Sequence, residues 1–234
     1  MFEQLRGRLI VSCQALADEP LHGASTMAQM AKAAKQGGAA AIRANGPEDI
    51  RAIKAATGLP VIGIIKRDYD GCEVYITPTS REVDELAEAG ADMIAFDATR
   101  RPRPCGETLE GLTAYMKSRG IRMMADISTL EEAEYAASLG VDCVSTTLSG
   151  YTPYSPQQEE PDFALIRRAA DRLTLPVLAE GRIFSPEEAV QAMAEGAYAV
   201  VVGSAITRPQ VVTARYAELI RKAGNADGRE GSDL

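Results

Sequence analysis

Short runs of residues that are apolar at consecutive positions recur along the chain. They alternate with stretches whose apolar positions repeat at helical spacing. Runs that are apolar on both pleat faces suit the strands of a parallel sheet covered by helices. Strands are predicted at Leu9–Cys13, Ala39–Arg43, Val61–Lys66, Met93–Asp97, Arg122–Asp126, Cys143–Thr147, Val177–Glu180 and Ala199–Gly203. Helices are predicted at Ser25–Gln36, Pro47–Ala56, Arg81–Ala89, Thr108–Ser118, Leu130–Ser138, Phe163–Arg172, Pro186–Glu195 and Val211–Lys222. Strict alternation of eight strands with eight helices in a chain of 234 residues points to a single (β/α)8 barrel, a fold of about 250 residues. The expected boundaries are a barrel domain over 1–223 and a polar, disordered tail over 224–234.

Local punctuation agrees. Thr129-Leu-Glu-Glu132 and Ser185-Pro-Glu-Glu188 read as capping boxes, the second with Pro at the first helical position. Gly90, Gly140 and Gly196 each lead from a helix straight into a strand, as helix-closing glycines do. The rival fold, a doubly wound open sheet, would call for a Gly-x-Gly-x-x-Gly fingerprint that the chain lacks. Gly150–Pro161 is a long polar loop after the sixth strand, expected to cover the barrel mouth.

Composition changes the picture mainly by exclusion. With 25 Lys+Arg against 33 Asp+Glu, the net charge is −8, which argues against a nucleic-acid partner or an anionic membrane surface. No apolar run approaches the roughly 20 residues of a membrane span. Met1–Arg8 does not read as a secretory signal, so a cytoplasmic location is expected. The four cysteines are scattered and there is one histidine, His22. A structural zinc needs clustered ligands, and none is expected. Cys13 and Cys143, at the ends of apolar runs, read as reduced and buried.

In this fold the active site forms at the C-terminal ends of the strands. Those positions are Gln14, Arg43, Lys66, Asp97, Asp126, Thr146, Glu180 and Gly203. A strand can end in a polar residue merely on reaching water, so it is their convergence that carries weight. Lys66, at the rim of an apolar barrel, would lose part of its proton affinity through desolvation. Glu180 lies four strands away, across the ring. A cation and a carboxylate so opposed suit proton handling on two faces of one carbon; the alternative is a plain Lys–Glu ion pair lining a filled barrel. Gly181-Arg182 follows strand seven, and Gly203-Ser204 with Arg208 follows strand eight. The loops after these strands often hold phosphate, with Gly letting the backbone approach and Arg offering a planar fork. His22, by contrast, fits loop structure as readily as a site.

Several stretches together resemble the bacterial N-acetylmannosamine-6-phosphate 2-epimerases of sialic acid catabolism. They are Val11-Ser-Cys-Gln14 with Glu19-Pro-Leu-His22, Ala41-Ile-Arg43-Ala-Asn45 and Gly63-Ile-Ile-Lys66-Arg67. Further along come Asp97-Ala-Thr-Arg100, Met124-Ala-Asp126, Ser145-Thr-Thr-Leu-Ser-Gly-Tyr-Thr152, Glu180-Gly-Arg182 and Gly203-Ser-Ala-Ile-Thr-Arg208. The resemblance runs from about Gly7 to Lys222. It implies inversion at C2 of a phosphorylated amino sugar without metal or dinucleotide. Lys66 and Glu180 would form the acid/base pair. Gln14, Arg43 and Asp126 would hold the sugar's oxygens and N-acetyl group, and Gly181, Arg182, Gly203, Ser204 and Arg208 the 6-phosphate. Two other readings stay open: a Schiff-base aldolase with Lys66 as nucleophile, and a non-catalytic barrel that binds a phosphosugar. A homodimer is expected from the commonness of twofold assemblies.

Overall fold

In the computed structural model, which describes residues 1–227, the strands pair in parallel in chain order and close on themselves. They are β1 (Leu9–Cys13), β2 (Ala41–Asn45), β3 (Val61–Ile64), β4 (Met93–Asp97), β5 (Met123–Asp126), β6 (Cys143–Ser145), β7 (Val177–Glu180) and β8 (Ala199–Val202). Val11 on β1 pairs with Ile42 on β2 and with Val202 on β8, which closes the ring. The helices are α1 (Phe2–Leu5), α2 (Ala24–Gln36), α3 (Pro47–Thr57), α4 (Ser80–Glu88), α5 (Leu109–Ser118), α6 (Leu130–Ser138), α7 (Phe163–Arg172), α8 (Pro186–Ala194), α9 (Ser204–Thr207) and α10 (Pro209–Asp227). The result is a (β/α)8 barrel.

Side-chain alternation along the strands sends apolar residues either into the barrel or outward against the helices. Ile10, Ala41, Ile62, Ile64, Met93, Met124, Cys143, Leu178 and Val201 pack together inside the barrel. Val11, Ile42, Val61, Ile94, Met123, Val144 and Val177, one position out of step, pack against the helices. The period of two is that of any strand. The same parity, continued to the C-terminal ends, carries Gln14, Arg43, Lys66, Asp126, Thr147 and Glu180 inward. At the opposite end α1, which the sequence pattern did not predict, inserts a fully buried Leu5 into the inner core. Its backbone is held there by Tyr198, whose hydroxyl donates to the Phe2 carbonyl at 3.0 Å.

Strand boundaries differ from the prediction where local bonds intervene. The Ala39 amide donates to Ala34 O at 3.0 Å and so belongs to the exit of α2. β2 therefore starts and ends two residues later, and Arg43 sits within the strand instead of at its end. β3 ends at Ile64 because the following chain doubles back. Arg67 N bonds to Tyr75 O at 2.9 Å, Thr77 N bonds to Ile65 O at 2.7 Å, and Lys66 faces Ile76 in an antiparallel bridge. Both predicted capping boxes form, and a third, Thr79 with Glu82, starts α4.

The C-terminal helix departs from the ideal pattern. α10 begins earlier than predicted and continues through Asp227, into the segment expected to be a tail. Val211 and Val212 are half-buried, but residues 213–224 are exposed, so over that stretch the helix buries no apolar face against its own barrel. The rest of the predicted tail, 228–234, lies outside the described residues. No described helix is long and apolar enough to cross a membrane.

Candidate active site

The C-terminal mouth of the barrel holds a cavity of about 290 Å³. Gln14, Arg43, Lys66, Glu180, Gly181, Arg182, Gly203, Ser204 and Arg208 line it, and the structure thus gathers nine of the ten predicted site residues. Asp126 is the exception. It is fully buried beneath the cavity floor, with its oxygens taken by Arg43 and Thr147, and it does not reach the space where it was expected to hold a ligand.

Arg43 is the hub of the floor. Its Nη2 donates to Asp126 Oδ2, and its Nη1 to Asp126 Oδ1 at 3.1 Å, to Glu180 Oε2 and to Thr147 Oγ1 at 3.2 Å. Burial opposes the Arg43 charge, but the two carboxylates outweigh it and hold the guanidinium firmly protonated. Burial pushes the carboxyls of Asp126 and Glu180 above their ordinary range, and Arg43 only partly restrains them. Thr146, the residue read from the sequence as the end of strand six, faces the other way. Its hydroxyl donates to Glu180 O at 2.9 Å and accepts from Glu180 N at 3.1 Å, which fixes the backbone behind the carboxylate. Thr147 is the residue that enters the site.

Lys66 stands apart from this cluster. Among the described residues it forms no salt bridge within 4.0 Å, so the expected alternative of a Lys66–Glu180 ion pair is not realised. Its amide donates to Asn45 Oδ1 at 2.9 Å, tying the lysine backbone to the end of β2. Burial, and then the positive charges of Arg43 and Arg208, lower its ammonium pKa to about 8; Glu180 and Glu19 oppose the shift. Tyr75 and Ile76, brought in by the fold-back after Lys66, close one wall. Sequence reasoning missed both, since a loop of this kind carries no periodic pattern.

The opposite wall is suited to an anion. Gly203 caps the short helix α9, whose first amides have no intrahelical partners. The Thr207 hydroxyl donates to Ser12 O at 2.7 Å and pins that turn to β1. Arg208 is aimed by Glu19, which accepts from its Nη2 at 3.1 Å. Arg182 is placed differently from the expectation. Its Nη1 donates to Ser149 O at 2.6 Å and its Nε to Glu160 O at 2.8 Å, so most of its fork is committed to the two ends of the loop after β6. Gly150 beneath it has a φ of +80°, a left-handed conformation that favours glycine, and the Arg182 guanidinium packs where a Cβ would stand. Asp97 lies outside the cavity and accepts from Thr99 and Arg101. His22 faces Ala15 O at 3.2 Å, also outside it. Among the described residues, no three His, Cys, Asp or Glu side chains are gathered as a metal site would need.

Fold and cavity together define a (β/α)8 barrel whose mouth sets a lysine and a carboxylate beside an anion-suited turn. Comparison with known proteins narrows this class. Residues 27–222 match the family model described as "NanE: Putative N-acetylmannosamine-6-phosphate epimerase", and the chain belongs to that family. It is 56% identical over 221 residues to the Clostridium perfringens protein named "Putative N-acetylmannosamine-6-phosphate 2-epimerase", covering 94% of this chain and 100% of the relative. A Clostridioides difficile relative of the same name is 54% identical, with 94% and 99% coverage. The solved N-acetylmannosamine-6-phosphate 2-epimerase of C. perfringens superposes with a TM-score of 0.92 at 56% identity, covering 94% of this chain and 96% of that one.

Proposed function

We propose that this chain interconverts N-acetylmannosamine 6-phosphate and N-acetylglucosamine 6-phosphate by removing and returning the proton at C2, the reaction classified as N-acylglucosamine-6-phosphate 2-epimerase. The observation that carries this reading is the presence, in one cavity, of a lysine of lowered pKa, without a salt bridge among the described residues, and a carboxyl of raised pKa. In the open-chain sugar C2 adjoins an aldehyde, so loss of its proton gives an enolate stabilised by the carbonyl. Neutral Lys66 accepts a proton at one face while protonated Glu180 supplies one at the other. Gln14 and the cavity edge of Arg43 orient the sugar's oxygens, and Arg43 offsets the charge developing on the enolate. Gly203, Ser204 and Arg208 hold the 6-phosphate, with the turn at Gly181-Arg182 beside them. Binding energy there is remote from the reacting carbon.

The exposed Tyr216, Leu219 and Ile220 on α10 support contact with a second copy of the chain, hence a homodimer. Four free cysteines suit a reducing cytoplasm. The activity is tested by incubating the protein with N-acetylmannosamine 6-phosphate and following the sugar protons by NMR. Appearance of the 2-epimer alone is expected. Carbon–carbon cleavage products, or an adduct on Lys66 trapped by borohydride, would instead favour the aldolase reading.

A further inference from the structure

Two carboxylates, Asp126 and Glu180, converge on one guanidinium nitrogen, Arg43 Nη1, and on one hydroxyl, Thr147. Asp126 and Arg43 are essentially without solvent contact, and Glu180 keeps only 14% of its side-chain surface. Fully ionised, this group would bury two negative charges against one positive. An uncompensated charge in such a place is costly, and like charges sharing a site force one of them to keep its proton. The hydrogen-bond geometry indicates where the proton sits. Asp126 is held by both Nη atoms of Arg43, whereas Glu180 takes only one. Thr147 has a single proton to give. Its oxygen is 2.7 Å from Asp126 Oδ1, 2.8 Å from Ser145 Oγ and 3.2 Å from Glu180 Oε2, and Ser145 Oγ lies 3.4 Å from the same Glu180 oxygen. Donation to the nearer, bidentate carboxylate leaves a lone pair of Thr147 facing Glu180.

We propose that Asp126 and Glu180 hold one proton between them in the resting enzyme, seated on Glu180 and exchangeable with Asp126 through the Thr147 hydroxyl. In that exchange Glu180 Oε2–H gives its proton to Thr147 Oγ as Thr147 gives its own to Asp126 Oδ1, so one proton moves and none is lost. Asp126 does not touch the cavity and is a positioning residue. Its fixed charge balances Arg43, so the acid/base pair works in a neutral setting. With Lys66 neutral and Glu180 protonated the cluster has no net charge. After inversion, with Lys66 protonated and Glu180 ionised, it again has none. The other titratable groups facing the cluster are Asp97 at the end of β4, the Tyr75 phenol, and the Cys143 thiol, which burial keeps neutral. Arg208 and Glu19 act on Lys66 from the rim.

The proposal rests on the acid/base reading of Glu180 given above, and its test has one arm that does not. Infrared difference spectra at neutral pH should show the carbonyl stretch of a neutral carboxylic acid in the wild type. That band should be lost in Glu180→Gln and also in Asp126→Asn, since either change leaves one carboxylate alone with Arg43. Its survival in Asp126→Asn, or its absence from the wild type, overturns the shared proton whatever the enzyme's activity. The second arm is kinetic. The active form holds one proton on the Lys66–Glu180 pair, so wild-type kcat/KM should climb with pH through about 8 as Lys66 deprotonates. In Asp126→Asn, Glu180 is already ionised at neutral pH. Its kcat/KM should therefore fall through the same range as Lys66 loses the pair's last proton. A profile merely lowered, with its rising limb in place, would mean that Asp126 only supports Arg43. Thr147→Val should slow turnover about tenfold, roughly the size expected for one charge-assisted hydrogen bond, with Thr147→Ser restoring it. An unslowed Thr147→Val variant would overturn the relay.

Discussion

Arg208 shows how a charged side chain is made specific. It is half-buried, aimed by Glu19, and set beside the Gly203-Ser204 turn. Glu19 accepts from the Leu16 amide at 2.7 Å, so the carboxylate that aims Arg208 is itself anchored. Arg208→Ala should raise KM for the phosphorylated sugar by about 10- to 100-fold, on the order of one lost charge-assisted contact. Unphosphorylated N-acetylmannosamine, assayed side by side, should be turned over as poorly as before. Equal losses on both sugars would remove the phosphate-holding role. At this scale the sequence was legible wherever a polar residue closed an apolar run, as at Lys66 and Glu180. Legibility failed where parity or partners decide. Thr146 and Thr147 are equally polar, and only the inward parity of Cys143 and Ser145 selects Thr147. Asp126 has the right parity but lies too deep, because the long Arg43 side chain crosses the barrel from β2, three strands away, and takes both of its oxygens. Nothing in Glu180-Gly-Arg182 foretells that the Arg182 fork is taken by carbonyls of a loop some 30 residues away.

Elements were legible through their boundaries. The Thr129 and Ser185 boxes announce α6 and α8 in sequence alone, because a side chain that satisfies the first free amides of a helix must stand at a fixed spacing. The fold-back over residues 67–79 was not legible. It is tied to Ile65, just past β3, by a backbone bond and by the Thr77 hydroxyl, which also donates to Ala95 O on β4, and Glu82 anchors it by accepting from Arg67 and Tyr69. β3 itself is fitted tightly to its helices. A Cβ on Gly63 would stand 2.9 Å from Ala91 Cβ and 2.9 Å from Ile50 Cδ1, with Leu86 Cδ2 at 3.0 Å. Gly63→Val should therefore lower unfolding free energy by about 1–3 kcal/mol, the usual cost of overpacking. Since Lys66 lies just beyond, kcat should fall as well. Urea denaturation with parallel kinetics checks both, and an unchanged midpoint would show that α3 and α4 can retreat.

On the scale of the whole molecule, the inner core and Leu5 fill the barrel from below and confine chemistry to the mouth. The eighth outer position is where the ideal barrel and this chain part. A helix at Val211–Lys222 was predictable from periodicity, yet periodicity does not say what an apolar stripe will face. If a second copy covers Tyr216, Leu219 and Ile220, the double change Leu219→Asp and Ile220→Asp should convert a dimer into monomers in sedimentation experiments. A wild-type monomer would remove that assignment.

The central claim is that inversion at C2 proceeds by proton transfer between the cavity and the sugar, with Lys66 and Glu180 as the two partners. Proton NMR of N-acetylmannosamine 6-phosphate in D2O tests it most directly. The wild type should place deuterium at C2 as the two epimers interconvert. Lys66→Ala and Glu180→Gln, folded as judged by circular dichroism, should each lose interconversion by about 10²–10⁴-fold, the range for a missing general acid or base. Interconversion that leaves C2 fully protonated, or that continues at near-normal rate in either variant, would contradict the account.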